Sequence, residues 1–368
     1  MNKKLVLFLL LVCLLPLSIF ASWSFAYDSW DGHPRIAAGL VPTGIRAGAV
    51  NDSLSLFADW KTDFYLLGKV GYQERLVWQD PVGGNHRTGI PLVYDQLLFD
   101  WTLGLNQYLG SSQKHSLFVG YRGSYEKALD SMIVGTTLDS GTVQSLSSFF
   151  SGGNAVYGQL SGIGTNIGFA YHYNNLVETF TSADGYAASA LLWFGPMLLN
   201  TNASYARLEG EVQAAKTLLT LTESAKNLYS IVLADRLNIS GVFGSSIPLS
   251  VQQTTSLGSK VRGFGTFQFP TDYSIANQFD LRFNGPEPFV SGFFPRLVLF
   301  FDFGFGWGEL YNTSIPESGF IASTGVSVTF AVRSYMDIGY EMAYLLVGEN
   351  YEHPGAKMVG KILARLSN

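Results

Sequence analysis

The chain has 368 residues, with 40 glycines, 14% aromatic residues and only 14% charged residues. Its formal net charge is −5, and its lysines and arginines form no run longer than two, so we expect no nucleic-acid partner. The 5 histidines are scattered without the spacing of metal ligands, and we therefore expect no metal site and no cofactor.

The first 26 residues predict a secretory signal peptide. Two lysines precede an apolar run over residues 5–20, and the run is followed by a small-x-small cleavage site that ends at Ala26. A membrane anchor is the alternative, but the run is short for a helical bilayer crossing and contains Pro16. Cleavage after Ala26 would remove Cys13, the 1 cysteine of the sequence, and leave residues 27–368 as one predicted domain.

Beyond this segment, apolar and polar side chains alternate in short stretches, and none is apolar over the roughly eighteen residues that a spanning helix needs. In a strand, this alternation sends one set of side chains to lipid and the other to a polar lumen. The sequence therefore predicts an all-β fold, a transmembrane antiparallel β-barrel. A secreted soluble β-sandwich alternates in the same way and is the alternative. The clearest segments are 96–106, 116–126, 162–173, 325–330, 336–344 and 357–366.

Three connections stand out from the alternating segments. Residues 79–91 and 129–154 are rich in turn-forming or small polar residues, and they predict long loops on the outer side of the membrane. Residues 212–226 have weakly helical apolar spacing, which fits either a pair of strands or a short loop helix.

The most informative strand is predicted at residues 297–307. Its apolar side chains alternate strictly with a second face that carries Asp302 and Gly304. A carboxylate on that lumen face needs a cation, and the preceding loop, residues 255–269, carries Val261-Arg262-Gly263-Phe264. We expect the loop to fold inward so that Arg262 meets Asp302. In the alternative, Arg262 is an ordinary exposed arginine and Asp302 contacts water or Arg282.

This loop and strand resemble those of the BamA/TamA superfamily of outer-membrane barrels, also called the bacterial surface antigen family. In that family an extracellular loop bearing Val-Arg-Gly-Phe/Tyr folds into the barrel; Arg262 matches the motif arginine and Asp302 its strand partner. The resemblance covers roughly residues 255–366 and implies sixteen strands, at about twenty-one residues for each strand and connection. It also implies an outer-membrane location, with lipid around the barrel, and a role in outer-membrane protein insertion or polypeptide translocation.

Members of this family usually carry periplasmic POTRA domains before the barrel. Here only residues 27–34 precede the first candidate strand, so we expect a POTRA-less, barrel-only member. Such a chain would need a separate periplasmic or POTRA-bearing protein to collect its substrates.

Two other functions remain as alternatives. One is a passive pore or a surface-exposed adhesin barrel without assembly activity. The other is an enzyme, because His172-Tyr173-Asn174 is similar to the His-x-Ser of barrel lipid A deacylases. Asn174 occupies the nucleophile position, however, and no Gly-x-Ser-x-Gly segment is present, so we predict no catalytic residues and no enzymatic activity.

Overall fold

The structure is a computed structural model, and it describes the main strands and part of their connections. The described residues are 24–28, 34–40, 45–47, 61–78, 92–130, 137–138, 141–142, 144–145, 161–179, 181–195, 204–223, 226–245, 251, 255–265, 268–269, 271–286, 293–308, 319–332, 336–350 and 355–366. Residues 1–23 of the predicted signal peptide, and the loop at 79–91, lie outside them. The loop at 129–154 is described only in part.

The described chain is built from β-strands, numbered here in chain order. They are β1 Ser24–Asp28, β2 Pro34–Leu40, β3 Ile45–Ala47, β4 Lys61–Trp78, β5 Leu92–Leu109, β6 His115–Asp130, β7 Ser161–Asn174, β8 Ala183–Gly195, β9 Ser204–Glu223, β10 Lys226–Ser245, β11 Tyr273–Asn284, β12 Phe293–Trp307, β13 Phe320–Val332, β14 Met336–Val347 and β15 Met358–Leu366. Two-residue strand segments lie at Thr137–Leu138, Gly141–Thr142, Gln144–Ser145 and Val177–Glu178, and a short 3-10 helix at Leu257–Ser259. No helix in the described part of the chain is long and apolar enough to cross a membrane.

The long strands form one antiparallel sheet in which neighbours along the chain are neighbours in space. From β4 onward each long strand pairs with the next, while β2 and β3 both pair with β4. β1 pairs with β2 and also with β15, from Ser24 opposite Arg365 to Asp28 opposite Lys361. This is the predicted all-β antiparallel architecture. The predicted number of sixteen strands, and cleavage after Ala26 within β1, stay predictions.

The side chains of β12 follow the alternation that the sequence predicts. Leu299 and Phe301 are 45% and 41% exposed on the outer face, whereas Phe300 and Asp302 on the inner face are 3% and 0% exposed. The same apolar outer face continues around the sheet through Phe169 and many other exposed apolar residues. Such a surface is costly in water and suits lipid, so the outer face is the membrane-facing one.

Of the ambiguous residues 212–226, residues 212–223 lie in β9 and Lys226 begins β10, so the described part is a pair of strands and not a loop helix. β9 and β10 are each 20 residues long and pair antiparallel. A register shift between Thr217 and Leu219 marks a β-bulge, and both Leu218 and Leu219 are exposed there. The bulge breaks the two-residue period and accounts for the misleading helical spacing.

The β9–β10 hairpin also reaches farther than its neighbours. β8 pairs with β9 as far as Ala215, and β11 pairs with β10 from Ser230 onward. The described residues 218–223 and 226–229 therefore extend past both flanking strands, and the backbone pairing described for them is within the hairpin.

The connections differ in length between the two ends of the sheet. Residues 110–114 and 175–182 link their strands by short turns at one end, whereas 131–160 and 246–272 form long connections at the other. Outer-membrane barrels have short periplasmic turns and long extracellular loops. This places residues 246–272 on the extracellular side and 175–182 on the periplasmic side.

Leu299→Arg tests the assignment of the outer face. Near the middle of a membrane strand, an arginine in lipid lowers the free energy of unfolding by about 2–4 kcal/mol. Urea titration of the protein refolded in lipid vesicles measures this change. Gln213→Arg is the control because it adds the same charge beside the polar interior. Equal losses for the two variants would contradict the assignment.

Candidate functional site

The inward-folded extracellular loop, residues 255–269, is called the lid loop here. Its two ends are tied by backbone bonds: Leu257 N–H donates to Phe269 O at 3.1 Å, and Gly258 N–H donates to Gln268 O at 3.0 Å. A Cβ atom on Gly258 would lie 2.0 Å from Gly265 O, so glycine is required for this close approach. The lid loop is therefore a compact unit with its own hydrogen bonds.

An apolar cluster anchors the lid loop on the inner wall. A side-chain Cβ on Gly304 would meet Leu257 Cδ2 at 2.7 Å and Val261 Cγ2 at 3.0 Å, so the missing side chain makes room for the loop. Phe264 packs edge-on against Phe269, with ring centroids 5.5 Å apart. The buried members of the cluster are Leu257, Val261, Phe269, Ala276 and Ile321.

Arg262 lies against Asp302 with three hydrogen bonds. Its Nε donates to Asp302 Oδ2 at 2.7 Å, its Nη2 to Oδ1 at 2.7 Å, and its backbone N–H to Oδ2 at 3.0 Å. The guanidinium carbon also stands 3.9 Å from the centre of the Phe300 ring, which adds a cation–π contact. The structure thus brings together the two residues that the sequence paired.

A second carboxylate completes the arginine's surroundings. Arg262 Nη2 donates to Asp280 Oδ1 at 2.6 Å, and Asp280 Oδ2 accepts from Arg282 at 3.3 Å. Burial lowers the pKa of Arg262, but its bonds to Asp302 and the charges of both aspartates raise that pKa above its ordinary value. Arg262 therefore stays charged, and Arg282, the alternative partner considered for Asp302, contacts Asp280.

Sequence reasoning missed the role of Asp280. β11 alternates in the same way as β12, so Gln278, Asp280 and Arg282 share its inner face, and Gln278 stands opposite Asp302. That shared face was a usable signal for a second acidic partner. The alternation alone does not give the register that places β11 beside β12.

Gly263 fixes the path of the lid loop after the arginine. Its φ of +91° is a conformation that favours glycine, and a Cβ atom there would meet Ala343 at 2.7 Å and Leu345 at 2.9 Å. Its carbonyl oxygen accepts a bond from Asn350 Nδ2 at 2.6 Å. These contacts bind the loop to β14 as well as to β12.

Lys260 makes a third polar contact to the wall. Its Nζ donates to Ser274 Oγ at 2.9 Å and to Ser240 Oγ, and Gln278 Nε2 donates to the Lys260 carbonyl at 2.8 Å. Burial lowers the pKa of Lys260 from 10.5 to about 8; Glu209 opposes that shift and Arg207 adds to it. No pattern in the sequence indicated this contact, because both serines have the spacing of ordinary inner-face residues.

Two polar cavities lie beside this cluster. The first, the lid cavity, has about 370 Å³ and is lined by Arg262, Asp280, Arg282 and their neighbours. The second, the mouth cavity, has about 520 Å³ and contains His172 and Asn174 in its lining. Among the described residues, no group of three or more His, Cys, Asp or Glu is arranged to hold a metal ion. The geometry of the site is that of a docked loop.

Comparison with known proteins decides the architecture. No model of a known protein family matches the sequence, and no curated protein sequence matches it. BamA from Haemophilus ducreyi lacking POTRA domains 1–3 matches the structure with a TM-score of 0.51 and 12% identity, over 94% of this chain and 69% of that one. The fold is that of a BamA-type outer-membrane barrel. The predicted fold class and the outer-membrane location that goes with it are confirmed.

Two CdiB structures give similar figures. CdiB from Acinetobacter baumannii matches with a TM-score of 0.49 and 12% identity, over 95% of this chain and 59% of that one. CdiB from Escherichia coli matches with a TM-score of 0.49 and 11% identity, over 94% and 62%. The chain thus spans about three fifths of each CdiB chain.

Arg262→Ala tests the contribution of the lid contact to stability. Removing the guanidinium leaves Asp302, which is fully buried, without its charged partner, and we expect the free energy of unfolding to fall by about 3–5 kcal/mol. Urea titration in lipid vesicles measures the loss. Arg236→Ala, a change at another arginine that lines the lid cavity, is the matched control and should cost far less. Equal costs would contradict the assigned role.

The pKa of Lys260 predicts a dependence of stability on pH. Since the folded pKa of about 8 lies below the unfolded value of 10.5, the unfolded chain binds more protons between these values, and stability should rise over pH 8 to 10.5. Lys260→Met removes this contribution. The unfolding free energy of the wild type minus that of Lys260→Met, measured at several pH values, should therefore rise across this interval. A constant difference would refute the prediction.

Proposed function

We propose that this chain is an outer-membrane barrel that assists the insertion of outer-membrane proteins or the translocation of polypeptides. The observation that carries the proposal is the docking of Arg262 on Asp302 inside the barrel wall. The BamA-type fold supports it, because a barrel with this architecture is a suitable scaffold for the task. We propose no catalytic residue and no cofactor.

The pairing of the first and last strands suggests how such a barrel would act. β1 and β15 share five residue pairs, of which Tyr27–Ile362 and Asp28–Lys361 lie after the predicted cleavage site at Ala26, whereas β11 and β12 share twelve. A shorter ladder has fewer hydrogen bonds to break, so this seam opens at lower cost than the β11–β12 ladder. An open seam exposes unpaired backbone groups, on which an incoming strand can pair by β-augmentation.

The lid loop has a separate task in this proposal. It fills part of the lumen and bonds to β11, β12 and the residues that follow β14, so it holds the wall on the β15 side of the seam in one register. A barrel that opens on one side needs the remainder of the sheet to stay ordered. The loop supplies that order through charge and packing together.

In this proposal, another protein collects the substrates. We propose a separate periplasmic or POTRA-bearing partner, which would deliver unfolded chains to the periplasmic mouth. Purification of the tagged barrel from its native membrane, followed by mass spectrometry, would identify such a partner. Membrane lipid is the other partner, along the apolar outer face.

A passive pore or adhesin is the second candidate. The lid and mouth cavities, of about 370 and 520 Å³, favour a pore because they leave water-accessible space in the lumen. A large and steady current through the purified protein, unchanged by Arg262→Ala, would support the pore and count against the assembly role.

The assembly role predicts faster folding of a second barrel. An unfolded outer-membrane barrel protein is added to lipid vesicles with and without this chain, and its folded fraction is followed by its heat-dependent mobility in gels. We expect the wild-type chain to speed the folding of the added protein. Arg262→Ala should lose most of this acceleration, and Arg236→Ala should retain it. If wild-type vesicles fold the probe no faster than empty ones, the assembly proposal fails.

A further inference from the structure

The periplasmic turn between β7 and β8, residues 175–182, is described at 175–179 and 181–182, where it bends back toward the sheet. Val177–Glu178 pairs with the start of β8, and Thr179 N–H donates to Ser182 O at 2.7 Å. At the base of the turn, Gly185 has a φ of +113°, and a Cβ atom there would lie 2.1 Å from Asn175 O. An L-residue at position 185 would thus oppose the bend, which is built into the chain.

The bend carries Glu178 across the mouth of the barrel. Glu178 Oε1 accepts a bond of 2.8 Å from Arg282 Nη1, although Arg282 lies on β11 and the turn begins at β7. The strands β8, β9 and β10 stand between these two along the sheet. A contact that spans them runs through the lumen, so the turn covers the part of the mouth beside β8, β9 and β10.

The turn also separates the two cavities. Leu176 and Glu178 line both the lid cavity and the mouth cavity, and so does Gln213 on the wall. The cavities therefore meet at the turn. Displacing residues 175–182 would join about 370 Å³ and about 520 Å³ into one continuous space.

A chain of charges connects this turn with the lid loop. Asp302 binds Arg262, Arg262 binds Asp280, Asp280 binds Arg282, and Arg282 binds Glu178. The two arginines share Asp280, one on each carboxylate oxygen. Asp235, Arg236 and Glu341 are the other charged residues that line the lid cavity.

We propose that residues 175–182 form a periplasmic gate, latched by Glu178 on Arg282 and coupled to the lid loop through Asp280. When the lid loop withdraws Arg262, Asp280 loses one of its two cations and attracts Arg282 more strongly. Arg282 then holds Glu178 less well, and the gate opens. Release at the extracellular end thereby favours opening at the periplasmic end, which couples two closures at opposite ends of one lumen.

This gate does not depend on the proposed assembly role. Its test uses purified barrel in a planar lipid bilayer, without any substrate protein, and measures ionic current. A negative result in the folding assay above would leave the current measurement unaffected.

Glu178→Gln removes the charge of the latch and keeps the shape of the side chain. We expect the open probability to rise roughly two- to fivefold, the factor that a partly exposed ion pair can contribute. Lys216→Gln is the matched control. It breaks the ion pair of Lys216 with Asp184, whose side chains are 72% and 45% exposed beside the same turn, and it should leave the current unchanged. Equal effects of the two variants would overturn the latch.

Coupling has its own measurement. Arg262→Gln should speed amide hydrogen exchange in residues 175–182, and the effects of Arg262→Gln and Glu178→Gln on open probability should be non-additive. The heat-dependent gel mobility of each variant checks that the barrel is folded. Wild-type exchange rates at 175–182 in folded Arg262→Gln, together with additive currents, would overturn the coupling.

Discussion

A carboxylate withdrawn from water into the wall of a membrane barrel must be compensated, and the arrangement around Asp302 follows from that constraint. A single surface ion pair is worth little, but a buried carboxylate left alone costs several kcal/mol. Arg262 meets the need with its side chain and its backbone N–H together. The lid loop therefore stays bound to the wall as long as Asp302 is charged.

The apolar contacts and the charges act on the same few residues. Leu257 and Val261 sit where Gly304 lacks a side chain, and this packing shields Asp302, the fully buried member of the ion pair, from water. Exclusion of water strengthens the bonds of Arg262, while the cost of removing charges from water is offset by its two aspartate partners. The outer face must instead be apolar, because it contacts lipid. Adjacent residues of β12 point to opposite faces, so one strand supplies both surfaces.

Much of this could be read from the sequence because a strand has a fixed two-residue period. The period predicted the two faces of β12, and the lone Asp302 on the inner face indicated that a cation lies nearby. It left residues 212–226 undecided between a pair of strands and a loop helix, because a β-bulge shifts the pattern there. It was also silent on Asp280, Lys260 and Glu178, whose roles depend on which strands are neighbours and how far a turn bends. Those are properties of register and backbone conformation, which single residues do not encode.

The overhang of the β9–β10 hairpin has a mechanical consequence. A two-stranded ribbon without flanking strands twists strongly, so residues 218–223 and 226–229 form a twisted arm at the periplasmic end. Its roots are clasped on one side by β8, which follows residues 175–182, and on the other by β11, which carries Asp280 and Arg282. A force applied to the arm is transmitted first to these two strands. A push from the periplasm would therefore act on the ion pairs of Arg282 with Glu178 and Asp280, which latch the proposed gate.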